Sequence, residues 1–324
     1  MPLEPSGQLP VRVRRFDSES GMSHVMRAFW ANGMLMKHGH EWPHVRFGQP
    51  LREVDARVLA WAVQAPPEWL AERLFIAVGL GDDRRLLLGT QQFSPAAVLP
   101  GKSARVCPHC LSEFGFCDLV CSFKLAAVCP RHKVPYLGVC AHCRRTMSWD
   151  RLQIDICKCG RYLKPLPVVV DPPAPVIDWA QWVSDRVRTS PVTRLEAGGQ
   201  LAVPRMLNEL SLDGAFRLVE AFGLLKHPDE QPRAAIATAR SVAGALGLIA
   251  RGLERLSLID GRVHRIRDLV PQIHVAALER LRASAVEAAD ANCAALLLRH
   301  LGDRSDCHSD KRGRHPRGQM SLFT

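Results

Sequence analysis

The sequence predicts a mostly α-helical protein, because its composition and the spacing of its apolar residues both favour helices. Hydrophobic residues make up 47% of the 324 residues, which excludes a chain that is disordered throughout, and only 6% are aromatic. Leu, Ala, Val and Arg dominate, a mixture that favours helices over β-sandwiches or barrels. The length allows two or three domains with buried cores of their own.

Residues 1–101 are predicted to form an N-terminal helical domain. Apolar residues recur there with the period of one helical face. The first face consists of Met22, Val25, Met26 and Phe29, followed by the turn signal Asn32-Gly33. The second consists of Leu51, Val54, Val58 and Leu59. A third helix is predicted over Glu68 to Val78, with Pro66-Pro67 at its start.

Two further regions and a tail follow. Residues 102–164 lack a helical period and are rich in Cys, His, Pro and Gly, as in segments that fold around metal. Residues 165–177 are predicted to be an extended, proline-rich linker. Residues 178–301 are predicted to be a C-terminal helical domain, and residues 302–324 a disordered tail.

Three helices are predicted in the C-terminal domain. The first has the apolar face Leu212, Ala215, Phe216, Val219 and Phe222. Gln231-Pro232 opens a second, which extends to Leu256. A third is predicted from Asp268, as N-cap, to Leu301, with Pro271 tolerated in its first turn.

The cellular compartment can be predicted from signals that the sequence lacks. The first fifteen residues contain no apolar stretch behind their charges, and the longest apolar run, Val242 to Ala250, is far shorter than the ~20 residues of a membrane helix. We therefore predict a cytoplasmic protein without a membrane span. In that reducing compartment, eleven cysteines indicate metal binding rather than disulfides.

Four closely spaced ligand pairs point to two structural zinc ions. Two cysteines on a tight turn can bind one tetrahedral ion, and a second pair completes four ligands. The pairs are Cys107-Pro-His-Cys110, Cys129-Pro-Arg-His132, Cys140-Ala-His-Cys143 and Cys157-Lys-Cys159. Sequential pairing would join the first two pairs and the last two, and cross-braced pairing stays an alternative. Four protein ligands leave no open position for substrate, so both ions are predicted to be structural.

The other cysteines and histidines of the chain have weaker patterns. We interpret Cys117, Cys121, Cys293 and Cys307 as core or surface thiols. The histidines inside the turns, His109 and His142, are alternative ligands. His40-Glu41-Trp-Pro-His44, with His38 nearby, matches a zinc-protease motif in order, but Pro43 disfavours the helix that this motif needs. We predict a loop there.

The net charge of +11 is concentrated in the cysteine-rich region. Residues 102–164 carry eleven basic and four acidic side chains, whereas residues 1–101 carry eleven and ten. A concentrated basic surface is typical of proteins that bind a polyanion, most often nucleic acid. A merely solvated basic face stays the alternative. The candidate phosphate contacts are Arg144, Arg145, Arg151, Lys158, Arg161 and Lys164.

These motifs together resemble the TniQ family of transposition proteins. The matching residues are Leu9-Pro10, Glu19-Ser20 before a helix with Arg27, Asn32-Gly33, and the first three ligand pairs. The resemblance covers residues 9–160, about half of the chain. In one departure, Phe114, Phe116 and Phe123 stand where family members often carry Tyr and Trp.

The resemblance implies a non-catalytic target-selection adaptor of a transposon. It further implies a helix-turn-helix region at the N-terminus, a zinc-bound middle and a helical C-terminal part. The implied partners are an AAA+ ATPase transposition regulator and either a DNA target or an RNA-guided CRISPR complex. The choice between those targets and the oligomeric state, monomer or homodimer, stay open.

Two other functions compete with the adaptor. A zinc-containing transcription regulator would bind a defined DNA sequence without an ATPase. A metallohydrolase would use the cluster from His38 to His44.

Overall fold

The computed structural model describes residues 7–35, 51–100, 102–151, 153–165, 171–188, 203–232, 235–236 and 241–302. This part of the chain is mostly helical, which confirms the predicted fold class. The first helices are α1 (Gly21–Ala31), α2 (Glu53–Ala62), α3 (Pro67–Ala71), α4 (Pro108–Phe114) and α5 (Ala174–Arg188). The C-terminal helices are α6 (Leu212–Gly223), α7 (Val242–Ile259), α8 (Val275–Ala283) and α9 (Ala288–Gly302). The strands are β1 (Ile76–Val78), β2 (Arg85–Leu88) and β3 (Gln91–Phe93).

Helices α1 and α6 form as the apolar spacing predicts. Val25, Met26 and Phe29 of α1 are buried, as are Phe216 and Phe222 of α6. Helices α1, α6 and α7 each begin after a serine whose hydroxyl accepts a backbone N–H of the first turn, which satisfies a donor that the helix leaves unpaired. These caps are Ser20, Ser211 and Ser241.

A three-stranded antiparallel sheet occupies part of the region where we predict only helices. The helix predicted from Glu68 to Val78 is wrong, because α3 ends at Ala71 and β1 begins at Ile76. Ile76 lies opposite Leu87 of β2, and Leu86 lies opposite Phe93 of β3. Short apolar runs fit a strand and a buried helix equally well, so periodicity could not distinguish them here.

Helices α2 and α3 are joined by residues 63–66, the length of turn found in a helix-turn-helix. Helix α3 is only five residues long, however, and acidic side chains, Glu68 and Glu72, are exposed on and beside it. In α2 the predicted apolar face is partly wrong. Val54 is 46% exposed, and Asp55 takes the inward position with its carboxylate on the Arg52 guanidinium at 2.9 Å.

The two long helices predicted in the C-terminal region are also wrong in their extents. The helix predicted from Pro232 to Leu256 is not continuous, because Ser241 is extended and caps a new helix, α7. The helix predicted from Asp268 is divided into a 3-10 segment, Val263–Gln272, and the separate helices α8 and α9. Pro271 lies inside the 3-10 segment, where it lacks the N–H that an α-helix would need.

Helix α5 begins at Ala174. This start lies inside the linker predicted over residues 165–177, so the linker is shorter than predicted. Residues 166–170 of that linker, the predicted tail beyond Gly302 and the predicted loop at His38 to His44 lie outside the described residues. Among the helices that are described, none combines the length and apolar composition that a membrane crossing requires.

An aromatic cluster joins the sheet, the cysteine-rich region and the C-terminal helices. The ring centroids of Phe93 and Phe123 are 5.2 Å apart, as are those of Phe123 and Phe216. Trp179 of α5 lies 5.7 Å from Phe216, and its indole N–H donates to the Leu125 carbonyl at 2.7 Å. The buried residues of all three regions accordingly form one connected core.

Candidate metal centres

The first cluster is built from the start of α4 and from a turn closed by a bridge between Val128 and Pro135. Pro108 occupies the first position of α4, so Cys107 is the N-cap and Cys110 lies in the first turn. The turn supplies the other two side chains. The ligand atoms of Cys107, Cys110, Cys129 and His132 all lie within 4.8 Å of one another.

The distances in this cluster are those of atoms facing a common centre. The Cys110 Sγ lies 3.6 Å from the Cys129 Sγ and 3.3 Å from the His132 Nδ1. The Cys107 Sγ lies 3.5 Å from the same nitrogen. A disulfide would bring two sulfurs to about 2.05 Å, so these thiols are free. The cluster could hold one metal ion.

A carboxylate orients the histidine of this cluster. The His132 Nε2 lies 2.8 Å from the Glu113 Oε2, so the ring can donate its second N–H to the carboxylate while Nδ1 faces the sulfurs. Glu113 is on α4, the helix that also carries Cys110. Such a carboxylate fixes the ring's tautomer and makes it a better ligand. Our prediction from sequence missed Glu113, whose signal was its place one helical turn after Cys110.

We expect Glu113→Ala to weaken metal binding at the first cluster by about 10- to 100-fold, the range typical for loss of such a partner. Glu113 is exposed, so the substitution should leave folding of the metal-loaded protein nearly unchanged. Competition with a coloured chelator measures the effect, with Asp155→Ala near the second cluster as the control. Equal affinities in wild type and Glu113→Ala would contradict this role.

The second cluster comprises Cys140, Cys143, Cys157 and Cys159, whose sulfurs also lie within 4.8 Å of one another. The Cys140 and Cys159 sulfurs are 3.9 Å apart, and those of Cys143 and Cys157 are 3.7 Å apart. This cluster is nearer to solvent than the first, because Cys159 is exposed and Cys143 half-buried, whereas the three cysteines of the first cluster are buried. It could hold a second metal ion.

Three of the four ligand pairs share one turn geometry. The residue after the second ligand adopts left-handed backbone angles, with φ of 56° at Lys133, 59° at Arg144 and 81° at Gly160. Its N–H donates to the carbonyl of the first ligand, which is Cys129, Cys140 or Cys157. A side chain in this conformation costs about 1 kcal/mol or more, so only the turn with Gly160 is free of that strain.

The thiols of the first cluster do not share their protons equally. Hydrogen bonds from the Cys110 and Cys129 thiols lower the pKa of Cys107 to about 4. The hydrogen bond between Cys107 and Cys110 raises the pKa of Cys110, and the hydrogen bond between Cys107 and Cys129 raises the pKa of Cys129. A metal ion that bound here would displace the remaining thiol protons, because cysteine binds metal as the thiolate.

The structure groups the eight ligands in the sequential pairing and not in the cross-braced one. Neither His109 nor His142 belongs to a ligand group in the described chain. Cys117 and Cys121 are buried core thiols, and Cys293 is half-buried. Cys307 lies outside the described residues.

Five of the six candidate phosphate contacts are exposed beside the second cluster, and the sixth is not. The exposed residues are Arg144, Arg145, Lys158, Arg161 and Lys164. Arg151 is buried, and its guanidinium donates to the carbonyls of Ser148 and Ile154 at 2.6 and 3.0 Å. We therefore correct the prediction for Arg151, which holds the loop before Cys157 and does not reach a ligand in solvent.

Comparison with known proteins adds nothing to this geometry. No family model matches the chain, and no curated protein matches it significantly.

Proposed function

We propose that this chain is a non-catalytic adaptor of transposition, in which two structural zinc ions hold a basic surface against nucleic acid. The observation that carries the proposal is the pair of four-ligand clusters, whose loops bear exposed cations. The experiment that tests it is a salt titration of DNA binding.

Zinc is the ion that best fits both clusters. Tetrahedral zinc with bonds of about 2.3 Å to sulfur and 2.0 to 2.1 Å to nitrogen separates its ligands by about 3.8 Å (S to S) and 3.6 Å (S to N). Three sulfur pairs, Cys110–Cys129, Cys140–Cys159 and Cys143–Cys157, lie 3.6 to 3.9 Å apart, and the three sulfurs of the first cluster lie 3.3 to 3.6 Å from the His132 Nδ1. Three cysteines with one histidine, and four cysteines, are both usual sets for structural zinc.

The completeness of both ligand sets favours a structural role over a catalytic one. A catalytic zinc keeps one position for water or substrate, whereas each cluster supplies four protein ligands. The first cluster is also packed into the connected core, which leaves substrate no approach through its cysteines. The competing hydrolase would need residues His38 to His44, which lie outside the described chain.

Four of the five cations beside the second cluster have no ion pair within the described part of the chain, so their charges are available to phosphates. Of the five, Lys158 pairs with a carboxylate, Asp150, at 2.7 Å. Arg144 and Arg145 follow Cys143 directly, and Arg161 lies two residues after Cys159, so ligand-fixed turns hold their backbones. Cations on short, fixed loops lose little freedom when they bind a phosphate, which favours this surface as a phosphate contact.

The more specific proposal concerns the partners. The resemblance of the ligand pairs and of the α1 region to TniQ proteins supports an adaptor that joins an AAA+ ATPase regulator to a DNA target or RNA-guided complex. The short, acidic α3 is a poor recognition helix for reading a DNA sequence in the major groove. That observation favours the adaptor over a sequence-specific transcription regulator.

The combined substitution of Arg144, Arg145 and Arg161 by Ala should weaken DNA binding similarly for all sequences. Each neutralised phosphate releases counterions, so the slope of log affinity against log salt should flatten by about one unit per lost contact. The measurement is fluorescence anisotropy of a labelled DNA duplex over a range of salt concentrations.

The matched control removes three exposed arginines from the C-terminal region, Arg262, Arg265 and Arg282. It changes the net charge equally and should keep the wild-type slope. If both triple variants gave the wild-type slope, the surface beside the second cluster would have no nucleic-acid role.

A further inference from the structure

A second basic site is formed by residues that are distant in sequence from the candidate metal ligands. A cleft of ≈ 560 Å³ opens between the segment that precedes α1 and the α2–α3 turn. Arg12, Arg14 and Arg15 line it together with Gln64 and Trp69. The only carboxylate among its lining residues is that of Asp17.

Each of the three arginines is held by a partner that leaves its charge intact. The Arg12 Nε donates to the side-chain oxygen of Gln64. The Arg14 guanidinium lies 5.1 Å from the centroid of the Phe16 ring, and that of Arg15 lies 5.8 Å from the Trp69 ring. These contacts reduce the side-chain entropy that binding would otherwise remove.

The partners of the arginines are themselves fixed. The Phe16 ring stacks on Phe116 at 4.6 Å. The Trp69 ring packs edge-on against the ring of His24, with their centroids 4.8 Å apart. His24 is almost fully buried. The side-chain amide of Gln64 donates to the Leu9 carbonyl. The site is therefore supported by the core and not only by a flexible surface segment.

Two other acidic residues near the cleft are already paired with arginines outside its lining. Glu19 binds Arg27 at 2.8 Å, and Glu72 binds Arg73 at 3.1 Å. In the part of the chain that the structure describes, no ion pair engages Arg12, Arg14 or Arg15. Three arginines and one carboxylate, that of Asp17, therefore line the cleft, which leaves it a net positive charge.

We infer that this cleft binds the phosphate backbone of a nucleic acid strand. Fixed guanidinium groups match phosphate oxygens with paired N–H donors. The aromatic rings offer neither a free stacking face nor an apolar pocket, because Arg14 and Arg27 both lie over Phe16, and Arg15 and Arg73 over Trp69. The cleft therefore fits a chain of phosphates better than a peptide anchored by side chains, or an unstacked base.

This site shares no residue with the surface beside the second cluster, so the two can be varied independently. The first variant is the full, metal-loaded chain with Arg12→Ala, Arg14→Ala and Arg15→Ala. Its binding to a labelled DNA duplex should have a salt slope flatter by about one unit per lost contact. The control without Arg262, Arg265 and Arg282 should keep the wild-type slope.

A second variant, Gln64→Met, keeps every charge but releases Arg12. It should lower the affinity at each salt concentration and leave the slope unchanged, with circular dichroism confirming that the fold persists. A generally disturbed surface would not produce that combination. The proposal would be overturned if the triple variant and Gln64→Met both bound DNA as the wild type does.

Poly-glutamate serves as the competing probe. We expect it to displace DNA poorly, and displacement as effective as that by unlabelled DNA would assign the cleft to an acidic protein instead. If only the variant lacking Arg144, Arg145 and Arg161 lost affinity, the proposed function would be supported and nucleic-acid binding by the cleft would be excluded. The reverse result would support binding by the cleft and exclude the surface beside the second cluster as a nucleic-acid contact.

Discussion

Cys129→Ser is expected to yield insoluble or protease-sensitive protein, whereas Cys159→Ser should lose one metal ion and keep the rest of the chain folded. Structural zinc contributes about 10 to 16 kcal/mol of apparent binding free energy, as much as the whole stability of a typical domain. Cys129 is fully buried in the core that also holds Phe123, so the loss of its ion should spread through that core. Cys159 is exposed at the outer cluster, where the damage should stay local.

Metal analysis and limited proteolysis distinguish these outcomes. Wild type should contain two zinc ions and Cys159→Ser one. Cys293→Ser, which alters a half-buried thiol outside both clusters, is the control and should match wild type in both assays. A soluble, protease-resistant Cys129→Ser protein that still contained two zinc ions would refute the first cluster as a zinc site.

Arg105→Ala should destabilise the protein by about 3 kcal/mol or more, because it would leave buried carbonyl groups without a donor at ~1–3 kcal/mol each. Arg105 is buried, and its Nη1 donates to the carbonyls of Lys124 and Ala126 at 2.7 and 3.0 Å. Burial lowers the pKa of Arg105 to about 10, so the guanidinium still carries its charge at neutral pH.

Urea denaturation of the metal-loaded protein measures this effect. Lys102→Ala is the matched control, because Lys102 is exposed three residues earlier and its loss should change stability by no more than about 0.5 kcal/mol. Equal denaturation midpoints for the two variants would show that the hydrogen bonds of Arg105 do not contribute the expected stability.

The two candidate metal clusters could be predicted from sequence because each ligand pair depends on local spacing. Cys107 and Cys110, or Cys140 and Cys143, are brought together by a turn of a few residues, and no distant contact is needed to form that turn. The choice between sequential and cross-braced pairing depends on how two turns meet, which spacing alone does not determine.

Properties that depend on tertiary packing could not be predicted in this way. Arg151 is indistinguishable from Arg144 in the sequence, but only Arg151 has buried carbonyls within reach. The same limit explains the missed sheet, because the apolar runs at Ile76 and Leu86 become strands only when they pair with each other. Arg12, Arg14 and Arg15 formed a visible basic run, but the rings and the amide that fix them come from distant positions.

The aromatic cluster constrains which substitutions and recombination events this protein can accept during evolution. Phe93, Phe123, Phe216 and Trp179 come from the sheet, the cysteine-rich region and helices α5 and α6, and all four side chains are fully buried in contact with one another. Truncating a buried Phe typically costs about 3 to 5 kcal/mol, so an exchange that replaced only the cysteine-rich stretch would have to supply a ring of equal shape at Phe123. Recombination should therefore transmit these stretches together, and lineages should accept compensating changes at Phe123 and Phe216 more readily than single ones.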